Sequence, residues 1–416
     1  MAKITLVTAL YPPEPVVSAN LSFDLANALV QKGHTVTVLC PYPTRPLGFN
    51  FGEFSFQKNV DVDIKNNLTI VRLPSFVSPA SKIFSRLIES YSFGVKTSNF
   101  IDNNLLDTQV VYANTWPMLG QWLLARKLKK LKIPLILHIQ DIYPESLLEK
   151  LPSILKKIVS RPLIFVDKQV ANWVSKLIVV SKNMSSIYQE ERKIKKKKIL
   201  FVANWQDESA FIEIHQRTAL EKAKIKKNFI FMYLGNIGPV AGVDLLIRAF
   251  NIARLPNAEL WIVGNGSDKE KCKELVKELS VSNVSFLEIP SGPKAVAEIQ
   301  SQADLFLLPV KKKAAMSSIP SKLIAYLFSA KPIISTVDSE SDTAKAISDA
   351  QCGWIGEPEN ADWLSDAMKK IITLPKKKLI EMGEKGLKFG LENYSKRNSC
   401  EKLCEAIIEI ANENTK

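Results

Sequence analysis

Three stretches of this 416-residue chain place reactive side chains directly after short apolar runs. The first is Ile136-Leu137-His138, followed by Gln140, Asp141, Tyr143 and Glu145. An imidazole with carboxylates close behind it can transfer protons or bind hydroxyls if the strand end opens on a ligand. A lone histidine on an apolar run can equally be a hydrogen-bonded core residue. The second stretch is the turn Gly235-Asn236-Ile237-Gly238, with Gly264-Asn265-Gly266 after a later run. Glycines between a strand and a helix can offer backbone N–H groups to phosphate, though a purely structural turn uses them too. The third begins after 305–309 and carries Ser317 and Ser318, then Pro320-Ser321-Lys322. Hydroxyls and a cation at a helix start suit a pyrophosphate, and a capping serine with a solvated lysine is the plain alternative.

The elements that must position these groups are bounded by composition. At ~150 residues per domain the length implies two to three domains. With 46% hydrophobic and 24% charged residues, the chain is neither disordered nor collagenous. Lys and Arg (56) exceed Asp and Glu (42), a net charge of +14, which suits nucleic acid, an anionic membrane face or phosphorylated small molecules. Cys40, Cys272, Cys352, Cys400 and Cys404 form no C-x-x-C pair, so neither a disulfide framework nor a zinc site is expected, and a reducing cytoplasm fits. No run approaches the ~18 apolar residues of a membrane span, and 4–10 is too short for a signal peptide and reads as a first buried strand. Leu10-Tyr11-Pro12-Pro13-Glu14 after it contains no glycine, which disfavours a dinucleotide fingerprint. No metalloprotease, nucleophile-elbow or Walker pattern occurs.

Apolar, β-branched runs alternate with helical patterns twice over. Strands are expected at 4–10, 35–39, 68–72, 110–112, 135–138 and 177–180, and again at 229–234, 260–263, 284–287, 305–309 and 332–335. The expectation is two doubly wound α/β domains, 1–205 and 229–395, with a linker at 206–228 and a last helix at 396–416. Open parallel sheets bind ligands at the carboxyl ends of their strands, so two such domains would face each other across a cleft. The lysines of 193–198 lack interleaved aromatics and suit a solvated loop better than a nucleic-acid patch. Segments 81–101 and 150–180 mix apolar residues with Lys82, Arg86, Lys96, Lys156, Lys157, Arg161 and Lys168. They read either as basic amphipathic helices resting on an anionic bilayer or as core-facing helices.

The motifs, in order and spacing over nearly the whole chain, resemble the family 4 retaining glycosyltransferases of GT-B fold, of the bacterial exopolysaccharide, O-antigen and colanic-acid type. Tyr11-Pro12-Pro13-Glu14, Gly33-His34-Thr35-Val36-Thr37-Val38 and His138-Ile139-Gln140-Asp141-Ile142-Tyr143-Pro144-Glu145-Ser146 resemble the landmarks of its first half. Gly235-Asn236-Ile237-Gly238, Val263-Gly264-Asn265-Gly266, Pro320-Ser321-Lys322-Leu323, Cys352-Gly353-Trp354 and Glu392-Asn393-Tyr394-Ser395 resemble those of its second. The resemblance implies an N-terminal acceptor domain, a C-terminal nucleotide-sugar domain and a last helix that crosses back to the first. It implies retaining, metal-independent transfer from a nucleotide-diphosphate sugar, with no other cofactor, to a saccharide acceptor that is lipid-linked. It assigns His138, Asp141 and Lys322 to catalysis, and Gly235, Asn236, Gly238, Gly264, Ser317, Ser318, Ser321 and Lys322 to the donor. Tyr11, Glu14, Asn20, Tyr143 and Glu145 fall on the acceptor side.

The chain departs from that pattern. Ser317 and Ala325 stand where the family commonly has two glutamates, the second of which holds the ribose, with Asp304, Ser318 or Ser321 as possible substitutes. Asn236 and Ala241 replace basic residues of the glycine turn, and Val16 and Val17 replace small residues. The expected function is therefore glycosyl transfer in cell-surface polysaccharide synthesis, in the cytoplasm or peripheral on the inner membrane, without nucleic acid. Competing readings are a non-catalytic GT-B protein that binds a saccharide or partner, and a nucleotide-sugar epimerase.

Overall fold

The structure, a computed structural model, describes residues 1–14, 16–44, 50–52, 59–76, 83–114, 118–145, 153–220, 228–312 and 319–414. These form two compact units, Met1–Asn204 with Ser399–Lys416, and Trp205–Asn398.

The first unit is built on strands β1 (Lys3–Thr8), β2 (Thr35–Pro41), β3 (Asp61–Lys65), β4 (Leu68–Leu73), β5 (Val110–Asn114), β6 (Leu135–Ile139), β7 (Lys176–Val179) and β8 (Ile199–Phe201). Their order in the sheet is β3-β4-β2-β1-β5-β6-β7-β8, parallel except for the β3–β4 pair. Ile4 lies opposite Val36 on one side and Val110 on the other, and Leu6 lies between Val38 and Tyr112. Both faces of β1 are buried, so it reads as a continuous apolar run rather than an alternating one. Helices α1 (Val17–Gln31), α2 (Ile83–Asn104), α3 (Met118–Leu131), α4 (Ser153–Trp173) and α5 (Lys182–Glu190) belong to this unit.

Helices α2 and α3 cross at glycines. A Cβ on Gly94 would lie 2.7 Å from Gly120 Cα, and one on Gly120 would lie 2.8 Å from the Ser90 carbonyl oxygen. Gly120 N–H donates to Ser90 Oγ at 2.8 Å, which pins the crossing.

The second unit holds α6 (Ser209–Leu220) and an all-parallel sheet of β9 (Phe229–Leu234), β10 (Ala258–Val263), β11 (Val284–Leu287), β12 (Leu305–Pro309), β13 (Ile333–Thr336) and β14 (Gly353–Gly356), ordered β11-β10-β9-β12-β13-β14. Its helices are α7 (Val243–Ala253), α8 (Lys269–Glu278), α9 (Pro293–Ser301), α10 (Ser321–Phe328), α11 (Asp342–Asp349), α12 (Ala361–Ile372) and α13 (Lys376–Tyr394). The last helix, α14 (Lys396–Glu413), starts in this unit and lies in the first from Ser399 onward. There Lys32 pairs with Glu401 at 2.5 Å and Asn414 Nδ2 donates to the Gln109 carbonyl at 3.0 Å.

Three strands were not anticipated. β3 is an exposed edge of charged residues (DVDIK), β8 has only three residues behind a lysine run, and β14 (GWIG) has two glycines. Residues expected as linker contain α6, which carries its own buried face in Phe211 and Ile214.

Candidate active site

Each sheet reverses its winding once: between β1 and β5 in the first unit, and between β9 and β12 in the second. Connections leave in opposite directions at such a point, so a crevice opens beyond the strand ends there. In the second unit that crevice is the glycine turn after β9.

Two tyrosines hold this turn. Tyr326 of α10, stacked on Phe306 with ring centroids 4.1 Å apart, accepts from Leu234 N–H at 2.8 Å and donates to the Leu234 carbonyl at 3.1 Å. Tyr233 donates to the Asn236 carbonyl at 2.6 Å. Burial pushes the pKa of both phenols up, so they stay neutral. The turn after β10 is packed against it, with Ile237 N–H donating to Asn265 O at 2.8 Å and Asp268 N–H to Ile237 O at 3.0 Å. A Cβ on Gly264 would meet the Gly235 carbonyl oxygen at 2.0 Å. Gly264 is therefore required by packing, and the N–H groups of Asn236 and Gly238 have no acceptor among the described residues.

Lys322 follows from the same construction. It is the second residue of α10, one turn before Tyr326 on the same helix face, so fixing Tyr326 at Leu234 aims Lys322 at the glycine turn. Its stem crosses Gly235 so closely that a Cβ there would lie 2.0 Å from Lys322 Cε, at a φ of +151° that disfavours any other residue. The ammonium rests 5.0 Å from the Tyr233 ring centroid. It is half-buried, burial lowers its pKa, and no carboxylate among the described residues pairs with it. Ser321 opens the helix, exposed. The arrangement is a cation and a helix start beside free amides, which is what a diphosphate requires.

Ser317 and Ser318 lie outside the described residues. Ala325 is 6% exposed and Ala241 is buried, so neither offers a polar group. Asp304 does not replace the missing acid, because it sits at the amino end of β12, where its Oδ2 accepts from Ile230 N–H at 2.9 Å at the start of β9. That is the opposite end of the sheet from the glycine turn.

In the first unit the loop after β1 is tightly tied. Thr8 Oγ1 donates to the Leu10 carbonyl at 2.8 Å, and buried Arg72 reaches the Pro12 carbonyl at 3.1 Å. Glu14 is buried and its Oε1 accepts from Thr44 N–H at 2.9 Å, while burial raises the carboxyl pKa. Tyr11 is buried with its hydroxyl unpartnered among the described residues, and Asn20 is exposed on α1.

The end of β6 places His138 in the core of the first unit. The imidazole is 1% exposed, its Nδ1 lies 2.6 Å from Tyr112 Oη and its Nε2 lies 3.2 Å from Gln140 Nε2. Desolvation lowers its pKa to about 3, so the ring is neutral. An amide nitrogen only donates, so Nε2 is the acceptor and the proton sits on Nδ1, toward Tyr112. Gln140 Oε1 in turn accepts from Asn204 Nδ2 at 2.7 Å. The half-exposed group at this strand end is therefore Gln140, held by the histidine behind it.

Glu145 is likewise committed elsewhere, to Arg192. Arg192 is 0% exposed and also bonds Asp167 Oδ2 at 3.0 Å and Glu191 Oε2 at 2.9 Å, while Tyr188 donates to Asp167 Oδ1 at 2.9 Å. Asp141 Oδ1 accepts from Ile142 N–H at 2.9 Å, and Tyr143 is half-buried. Tyr112, Asn204 and Arg192 carried no local sign of these roles, since each acts on a partner many residues away.

Two doubly wound parallel sheets, with the last helix returning to the first unit and an anion-ready turn in the second, define a GT-B protein. Residues 19–209 match the family described as Glycosyltransferase Family 4, and residues 216–389 match Glycosyl transferases group 1. The chain thus carries a glycosyltransferase family 4 domain followed by a glycosyl transferases group 1 domain. It is 23% identical over 397 residues to the putative colanic acid biosynthesis glycosyl transferase WcaI of Escherichia coli (strain K12), covering 90% of this chain and 93% of that one. It is 20% identical over 343 residues to the probable glycosyltransferase WbjE of Pseudomonas aeruginosa, covering 80% and 82%. Anabaena HepE in complex with UDP superposes with a TM-score of 0.69 at 14% identity, covering 98% of this chain and 100% of that chain.

Proposed function

We propose that this glycosyltransferase moves a sugar, with retention, from a nucleotide-diphosphate sugar to a lipid-linked saccharide in the assembly of a cell-surface polysaccharide. The observation that carries the donor half is Lys322, a half-buried cation with no carboxylate partner among the described residues, laid across Gly235 beside the amides of Asn236 and Gly238. In the reaction the bond from the anomeric carbon to the diphosphate oxygen breaks as an acceptor hydroxyl oxygen bonds to that carbon, and the hydroxyl proton passes to the departing phosphate oxygen. Negative charge then grows on the leaving phosphate, where a fixed ammonium and N–H groups stabilise it without waiting for solvent to reorient. These groups supply the charge that a divalent ion would otherwise bring, so transfer is expected to persist in EDTA. The relative HepE is described with UDP, which makes a uridine nucleotide the first donor to test. WcaI, named for colanic acid biosynthesis, supports the polysaccharide setting, and the five buried free cysteines suit the cytoplasm.

Ala325 favours a second reading, a donor site that no longer turns over. Thermal melting against UDP, GDP, dTDP and CMP and their sugars separates the two. At a hundredfold excess over Kd, binding adds ~2.7 kcal/mol to the native state, a shift of several degrees. A shift with one nucleotide class, together with sugar release from its conjugate in EDTA, is the expected result. Absence of any shift supports the non-catalytic reading.

A further inference from the structure

We infer that β3 is a self-pairing edge, on which the β3 of a second copy of this chain adds antiparallel across a twofold axis. β3 ends the eight-stranded sheet, so among the described residues its outer side meets no strand. Such an edge is a row of unpaired N–H and C=O groups. Val62 and Ile64 lie on the face of their cross-strand neighbours Val71 and Thr69, and Val71 is buried in the core of the first unit. They project beyond that core, 49% and 69% exposed. Asp61, Asp63 and Lys65 occupy the other face, and none has an ion-pair partner among the described residues.

The hairpin decides which backbone groups are offered. Lys65 and Leu68 are cross-strand partners on either side of a two-residue turn, Asn66-Asn67. Residues that flank such a turn exchange both hydrogen bonds, and the alternation then directs the N–H and C=O of Asp63 and Asp61 at β4 and those of Val62 and Ile64 outward. A second β3 that sets its Ile64 against Val62, and its Val62 against Ile64, satisfies these outward groups on both copies. The same register puts Asp61 against Lys65 at both ends and leaves one like pair, Asp63 against Asp63, on the axis. A register centred on Val62 sets Asp61 against Asp63 twice, and one centred on Ile64 runs Val62 into the turn at Asn66, where φ is +56°. The charges that keep arbitrary strands off the edge therefore run in an order that a copy of the strand complements. Isologous pairing uses the edge up, so association stops at two copies.

Sedimentation velocity of the full chain from about 5 to about 500 μM should show monomer passing to dimer, as suits an interface below the standard size. Lys65→Glu turns both end pairs repulsive and should weaken the dimer about tenfold or more, whereas Asp63→Asn removes the like pair and should tighten it about twofold to fivefold. Association driven by net charge alone has the reverse signs, because Lys65→Glu lowers the positive charge of the chain and Asp63→Asn raises it. Cysteine substitution tests the geometry: Asp63→Cys faces its mate at a Cα separation of ~4.5 Å, within disulfide reach, while Asp61→Cys lies roughly 14 Å from its own. The five native cysteines are buried, so the introduced thiol is the accessible one. After mild oxidation Asp63→Cys is expected to run as a covalent dimer on a non-reducing gel and Asp61→Cys as a monomer. Residues 62–65 are exposed, so melting temperatures should hold. A chain that stays monomeric over the whole range overturns the proposal, as do the reversed signs or equal cross-linking of the two cysteine variants. The assay needs neither donor nor acceptor, so its failure leaves the transferase reading untouched.

Discussion

At the scale of single residues, Lys322 and His138 exchanged prominence. Lys322 is legible in sequence as a cation at a helix start, but its value depends on Gly235, whose missing Cβ lets the ammonium reach the turn. Lys322→Ala is expected to cut the transfer rate by about 10²- to 10³-fold, the usual cost of one charge-stabilising donor. Its melting temperature should stay within a few degrees, and an unchanged rate in the folded variant would remove Lys322 from the site. His138 makes a different prediction, about stability. Its native pKa of about 3 lies below the ordinary 6.5, so between those values the unfolded chain binds a proton that the folded chain refuses. Its contribution is present above pH 6.5 and is lost as pH falls, by up to about 1.4 kcal/mol per pH unit. Asp167, which burial raises to about 6, has the opposite sign, stabilising below its unfolded value and losing that as pH rises through 6. The comparison must therefore be between the unaltered chain and His138→Asn, since subtraction cancels Asp167. Urea melts from pH 7 to 4.5 should show a shallower acid loss in the variant, and parallel curves would mean that the imidazole titrates freely.

At the scale of elements, the helices that follow the strands decide where loops end. Glu145 stood in sequence beside Asp141 and Tyr143 and looked like a ligand group, yet Arg192 from beyond α5 takes it together with Asp167 of α4. Removing one member of such a buried set leaves uncompensated charge. Arg192→Met is expected to cost about 3–5 kcal/mol in denaturant melts at pH 7, less at pH 5, where the orphaned Asp167 protonates. A cost below ~1 kcal/mol would show that the cluster is solvated. The strands of both cores were readable because parallel strands buried on both faces are plain apolar runs. β3 and β14 were not, since an exposed charged edge and a glycine-flanked pair acquire strand geometry only from their neighbours Leu68–Leu73 and Ile333–Thr336.

At the scale of the whole molecule, the chain folds as two separately cored units, each with one winding reversal. Hydrogen exchange with the bound nucleotide should therefore slow amides in 235–242 and 321–328 of the second unit, while β1 and β6 of the first remain as in the free protein. Protection centred on β6 instead would place the nucleotide at Gln140. The repeated βα alternation, the glycine turns and the lysine at the start of α10 are short-range patterns, and from them the two-unit GT-B architecture and the position of the glycine turn after β9 could be read in sequence alone. Only tertiary structure decided that His138 is a neutral hub behind Gln140, that Glu145 belongs to Arg192, and that Asp304 lies at the wrong end of its sheet. The physical reason is that burial and pairing depend on partners many residues away: Tyr112 and Asn204 for one, Arg192 for another, and Ile230 for the third.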